Sequence, residues 1–297
     1  MGEESTATPV AARNARGSAS RWKFAGIYYA IACAFSWIVW IPLVLGRNGL
    51  GILHIAPSLP VFACIGTLGP FLACYWVHFR ETGTWRAVRF IPNEPQKIVW
   101  ILLSPMVILF CFFVVFPSLL SSGSPKEWHW HFSVLVGIIV PMLNYNLLGG
   151  PLFEEFGWRG FLLPRLQNAM PPWAACVVVG ILWAIWHWPL FLVHWVSSPA
   201  LVFGLIMIGM SLVMAVPFNA SGQSVIAAIL MHSAFNASSR FLGPFLGDTP
   251  TRSSPPPDIL IAAAFLLVGV IFAMGTIGRM CAPKKREAAD DLLMATG

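Results

Sequence analysis

Residues 173–195 read WAACVVVGILWAIWHWPLFLVHW, a long apolar run without a single Asp, Glu, Lys or Arg. One helical crossing of hydrocarbon needs about 20 apolar residues, and only helices or closed barrels satisfy every backbone group in lipid. The run is far too long and too uniformly apolar for a barrel strand. Comparable stretches stand at about 24–46, 57–79, 98–120, 132–149, 200–217, 223–243 and 258–280. The 297-residue chain is 57% hydrophobic and only 10% charged, where a soluble domain would carry roughly a quarter of its residues as charges. A soluble globule is excluded. The expected fold is all-α, a polytopic transmembrane bundle of about eight helices integral to a cytoplasmic-type membrane.

The bundle is expected over residues 23–281, with a tail at 1–22 and another at 282–297. The first tail mixes Ala, Ser, Arg and Glu without apolar periodicity and reads as disordered. Basic residues gather before the first apolar stretch (Arg13, Arg16, Arg21, Lys23), between the second and third (Arg80, Arg86, Arg89, Lys97), and after the last (Lys284, Lys285, Arg286). With eight crossings these three groups share one side, so both termini are expected to be cytoplasmic. The net charge of +6 therefore reports orientation in a lipid bilayer and implies no nucleic-acid partner. Cys33, Cys64, Cys74, Cys111, Cys176 and Cys281 show no C-x-x-C spacing and read as small hydrophobes. His129, His131 and His194 lie beside tryptophans at segment ends, where an interfacial belt is the simplest account.

Chemistry is concentrated in the C-terminal half. Residues 149–173, GGPLFEEFGWRGFLLPRLQNAMPPW, are apolar but interrupted: Gly149, Gly150 and Pro151 break the preceding helix, and two acids and two arginines follow. Charged groups at bilayer depth are costly, so they pair and mark function. Glu155 and Arg159 are four apart and share a helix face, which allows an ion pair. Glu154 is turned by about 100° onto another face and stays available as a general base. His187 stands in a long apolar helix one turn after Trp183. His232 and Asn236 are again four apart on one face. Counting about 1.5 Å per residue from Trp173 puts His187 about 21 Å along its helix, whereas Glu154 falls near the cytoplasmic end of the fourth stretch. The two meet only if the fifth helix starts outside the hydrocarbon, or if the break at 149–151 returns the motif helix into the bilayer; the break is expected to matter. A site opening toward the cytoplasm is then expected.

Together these residues resemble the CPBP family, the type II CAAX prenyl endopeptidase and bacteriocin-processing intramembrane proteases. The family's E-E-x-x-x-R stands here as Glu154 to Arg159, followed by Gly160-Phe161-Leu162. Its F-x-x-x-H is Trp183 to His187, with Trp in place of Phe. Its H-x-x-x-N is His232 to Asn236. The resemblance spans about residues 145–240 and implies a family core at about 132–245. It implies that Glu154 and His187 activate a water, that His232 and Asn236 stabilise the oxyanion, and that Glu155, Arg159 and Trp183 support them. The implied reaction is hydrolysis of a peptide bond in a membrane-associated or lipid-anchored substrate.

Two alternatives remain at this stage. Glu154, His187 and His232 also make the donor set of a catalytic zinc site; chemistry without a metal or other cofactor is favoured, because a Glu/His pair can activate water unaided. A non-proteolytic scaffold or immunity-type protein would use the same polar cluster for helix packing. A transporter is disfavoured: transporters often show paired halves, and here the polar groups lie in one half only.

Overall fold

The computed structural model describes residues 10–92, 94–116, 150–245 and 256–275 of the chain. The stretch expected as a helix at 132–149, the Trp128–His131 run, Cys281 and the outer parts of both tails lie outside the described residues. Among the described residues there is helix but no strand. Helix α1 spans Val10–Leu45, reaching back before the apolar stretch begins. Leu59–Gly66 (α2) and Leu68–Thr82 (α3) form one broken span. Ile98–Phe110 (α4) runs on through a π-helical turn at Cys111–Val115. Then come Pro151–Gly157 (α5), a π turn at Trp158–Leu162, and Leu163–Gln167 (α6). Pro172–Trp186 (α7), Trp188–Phe191 (α8), Ala200–Ala220 (α9), Val225–Phe245 (α10) and Pro257–Gly275 (α11) complete the order.

Five of these helical stretches are long and apolar enough to cross a membrane: Trp22–Leu45, Leu59–Thr82, Pro95–Val115, Ala200–Ala220 and Pro257–Gly275. Pro172–Trp186 and Val225–Ser239 are shorter apolar helices. The outer faces are apolar, with Leu201 76% and Leu102 67% exposed, the reverse of a water-facing surface. The chain is a polytopic helical membrane bundle. Helix α9 packs between α7 and α11, α1 lies along α3, and α4 along α10.

Prolines interrupt the helices, and the backbone groups they free are answered by side chains, as lipid requires. Pro70 has no N–H for the carbonyl of Gly66; Ser36 Oγ donates to that carbonyl instead, at 2.7 Å. Trp186 Nε1 in turn donates to Ser36 Oγ at 2.8 Å. Pro105 leaves the carbonyl of Ile101 open, and Ser104 Oγ donates to it at 2.8 Å. The expected fifth helix is shorter than the apolar run that suggested it. It ends at Trp186 because Pro189 cannot continue the ladder, and His187 becomes the joint between α7 and α8. Trp37 Nε1 caps the freed carbonyl of Trp186 at 2.9 Å.

The depth of the motif helix departs from the linear count in the direction the break suggested. Gly150 has φ +147°, a conformation open to glycine and strained for other residues, and after it α5, the π turn and α6 run beside α3. Phe153 meets Phe71 with ring centroids 5.6 Å apart, Gly157 abuts Pro70, and Arg165 pairs with Glu81. Glu154 is thus level with the middle of the Leu59–Thr82 span rather than at its edge. From Glu154 to Arg165 is about 16 Å of helix, and from Pro172 to Trp183 about 16 Å more. The two arms of this hairpin match in length, and Trp183 returns to the level of Glu154.

Gly157 marks the tightest packing of the motif helix. A Cβ there would stand 2.2 Å from Tyr28 Oη and 2.8 Å from the Pro70 carbonyl oxygen. Gly157→Ala should therefore destabilise the bundle by about 1–3 kcal/mol, read as a lower thermal unfolding midpoint in detergent. Gly204→Ala, with nothing within 4 Å of the added carbon, should leave the midpoint unchanged or slightly raised.

Candidate active site

Consecutive acids on a helix face different neighbours, and Glu154 and Glu155 do. Glu155 is fully buried. Its Oε1 accepts from Arg159 Nη1 at 2.9 Å, one turn along the motif helix, and from His232 Nδ1 on α10 at 2.8 Å. An ionised carboxylate can only accept, so His232 carries its proton on Nδ1 in this contact. The ion pair expected from the i, i+4 spacing is present. The tie from Glu155 to His232 was not anticipated, and it makes this acid the joint between two helices.

Glu154 is 5% exposed. Its Oε2 accepts the indole N–H of Trp183 at 2.8 Å. Its Oε1 lies over Gly150, where a Cβ would come within 2.8 Å of it. Among the described residues no cationic side chain forms an ion pair with Glu154.

His187 is half-buried at the end of α7. Its backbone N–H bonds to the Ala184 carbonyl at 3.2 Å, which leaves the Trp183 carbonyl to the imidazole: Nδ1–H donates to it at 2.8 Å. In the neutral ring, Nε2 then keeps its lone pair. Both Glu154 and His232 are near enough for their charges to act on His187. The ring packs edge-on against Trp186 and Phe203, with centroids 4.7 and 5.1 Å away.

Trp183 is the hub of this arrangement. Besides its bonds to Glu154 and His187, its ring carries the Arg159 guanidinium carbon 4.3 Å from the centroid and meets His232 edge-on at 5.0 Å. From its spacing Trp183 was expected only as a supporting residue, an aromatic substitute for Phe. The missing signal was the indole N–H, a donor that phenylalanine lacks.

The structure brings Glu154, Glu155, Arg159, Trp183, His187 and His232 into one buried cluster. Asn236 follows His232 by one turn of α10 and is half-buried. Among the described residues no hydrogen bond joins its amide to the two acids or the two histidines; its backbone carbonyl accepts from Ser239 Oγ at 3.1 Å. His194 is exposed in the loop after α8, away from the cluster. Five cysteines among the described residues are free thiols.

The fit of a metal can be tested on the donors. Among the described residues no three His, Cys, Asp or Glu side chains converge as ligands of one ion. Glu154 directs Oε2 to an indole, and His232 directs Nδ1 to Glu155.

The two acids should respond to the same substitution to very different extents. Glu155→Gln leaves Arg159 buried without its counter-charge, which should cost about 3–5 kcal/mol. Glu154→Gln keeps an oxygen for the indole and should cost less than about 1 kcal/mol. Chemical denaturation of the two variants in the same detergent checks the contrast.

Residues 135–238 match the family model described as type II CAAX prenyl endopeptidase Rce1-like. A CAAX prenyl protease 2 of Methanococcus maripaludis is 29% identical over 152 residues, which cover 48% of this chain and 54% of that protein. The chain thus spans about half the length of the curated relative it matches. The matched residues contain all three motifs, Glu154 to Arg159, Trp183 to His187 and His232 to Asn236, and across them the chain is similar to the type II CAAX prenyl endopeptidases.

Proposed function

We propose that this protein is an intramembrane endopeptidase that cleaves a peptide bond near the lipid-anchored end of a substrate, with water activated by Glu154 and His187. The observation that carries this reading is the contrast between the two acids. Among the described residues Glu155 Oε1 accepts from Arg159 and His232, whereas Glu154 accepts from one neutral donor, Trp183. A buried carboxylate kept apart from a cation is expensive, and hydrolysis gives it a use.

In the proposed reaction a water lies between the Glu154 carboxylate and His187 Nε2. Glu154 takes one proton as the water oxygen attacks the carbonyl carbon; a C–O bond forms and the carbonyl electrons move onto oxygen. Donors aimed at this developing charge supply the largest part of such catalysis. His232 can donate from Nε2 only as an imidazolium, because its Nδ1–H is already committed, and the Glu155 carboxylate supports that cation. The Asn236 amide is the second donor, swinging from its place one turn further along α10. Collapse of the intermediate breaks the C–N bond, and the proton held by Glu154 passes to the leaving amine. No metal ion enters these steps.

The name of the Methanococcus maripaludis relative favours a prenylated CAAX tail as substrate, presented from the side on which both termini lie, the cytoplasmic one in this reading. A farnesylated peptide with a fluorophore and quencher across the scissile bond is the probe. Purified protein should cleave it, and Glu154→Gln, His187→Ala and His232→Ala should each lower kcat by at least about a hundredfold while keeping the folded bundle. Full activity in all three variants contradicts the assignment. Bound zinc in the purified protein together with loss of cleavage on chelation would overturn the metal-free steps.

A further inference from the structure

The second motif carries tryptophan at position 183, and its indole N–H has a partner. Trp183 Nε1–H is 2.8 Å from Glu154 Oε2, and both side chains are nearly excluded from solvent, at 1% and 5% exposure. Trp183 is itself held firmly. Arg159 lies over one face, His232 stands against its edge, and its own carbonyl is tied to the His187 ring. On the other side of the carboxylate, Gly150 supplies room for Oε1 that any Cβ would fill.

We infer that Trp183 is a positioning residue: its indole N–H fixes the Glu154 carboxylate in one rotamer, so that one oxygen is anchored and the other is left to take a proton from water. The inference rests on the proposed role of Glu154. Two physical consequences follow. A carboxylate with free torsions spends much of its time out of line with the attacked carbonyl, and reactivity falls steeply with small misplacements. The indole also stabilises the carboxylate form without donating a full positive charge, so it orients the base without neutralising it as an arginine would. Through its carbonyl the same residue sets the His187 tautomer, so one side chain and its own backbone coordinate both members of the water-activating pair.

The test removes the N–H and keeps the ring. Replacing Trp183 with 3-benzothienylalanine, in which sulfur takes the place of the N–H, preserves shape and the stacking surface for Arg159. Trp183→Phe is the genetically encoded counterpart. With the farnesylated fluorogenic peptide, both variants should lose about ten- to a hundredfold in kcat, the range for a hydrogen bond to a charged group, with KM within about twofold of the parent. In the ¹⁵N-labelled parent, the Trp183 indole resonance should move on Glu154→Gln and stay in place on Asn236→Ala. The benzothienyl variant reports without any change of volume, so loss of folding in Trp183→Phe does not obscure the result. Unchanged kcat in the benzothienyl variant, or an indole resonance indifferent to Glu154→Gln, overturns the inference. Full activity in Glu154→Gln would instead sink the proposed reaction, whatever Trp183 does; the resonance still reads the hydrogen bond in that case.

Discussion

A carboxylate buried in a lipid-embedded bundle has no bulk water to answer it, so most of its charge must be met by fixed groups of the chain. Around this constraint the C-terminal half is organised. Glu155 is met twice, by Arg159 and His232, and in being met it joins the motif helix to α10. Such a buried pair is weak evidence of net stability against an apolar alternative, but losing one partner is costly. The pair therefore acts as a joint that cannot be half-removed. Glu154, one residue earlier, is turned to Trp183 and accepts from its neutral indole N–H. Two identical side chains acquire different chemistry because a helix rotates about 100° per residue.

The same demand governs the backbone. Each break in a helix frees carbonyls, and two of those breaks stand beside the cluster. Ser36 and Trp37 of α1 reach across to the Gly66 and Trp186 carbonyls, and Trp186 returns a bond to Ser36. Helix α1, which contributes none of the motif residues, thereby secures the end of α7 on which His187 stands. The hairpin of α5–α6 and α7 does the rest, bringing Trp183 back to the depth of Glu154 with arms of matching length.

Much of this was legible in the residues. The apolar runs of near-constant length announced a helical membrane bundle, and the spacing of Glu155 and Arg159 announced their pair. Gly149-Gly150-Pro151 signalled a break; Gly150 has a positive φ at the start of α5, and the stretch before it lies outside the described residues. What remained hidden was set by three-dimensional packing. The end of α7 at Trp186 follows from Pro189, a residue visible in the sequence but outweighed there by a continuous apolar run. The choice of Glu155 over Glu154 by His232 depends on how α10 is rotated against the motif helix, which no one-dimensional spacing contains. The Trp183 bond to Glu154 joins positions 29 apart; the sequence showed an aromatic ring but not where its N–H points. Asn236 shared the face of His232 as its spacing required, without entering the hydrogen-bonded cluster.

The central claim is that Glu154 is the working acid, and living membranes test it most directly. Quantitative comparison of membrane peptides from cells carrying the wild-type protein or Glu154→Gln, at equal abundance, should reveal at least one lipid-anchored protein whose uncut, C-terminally longer form accumulates only in the variant. Identical peptide profiles in the two membranes would contradict the account and leave the cluster a packing device.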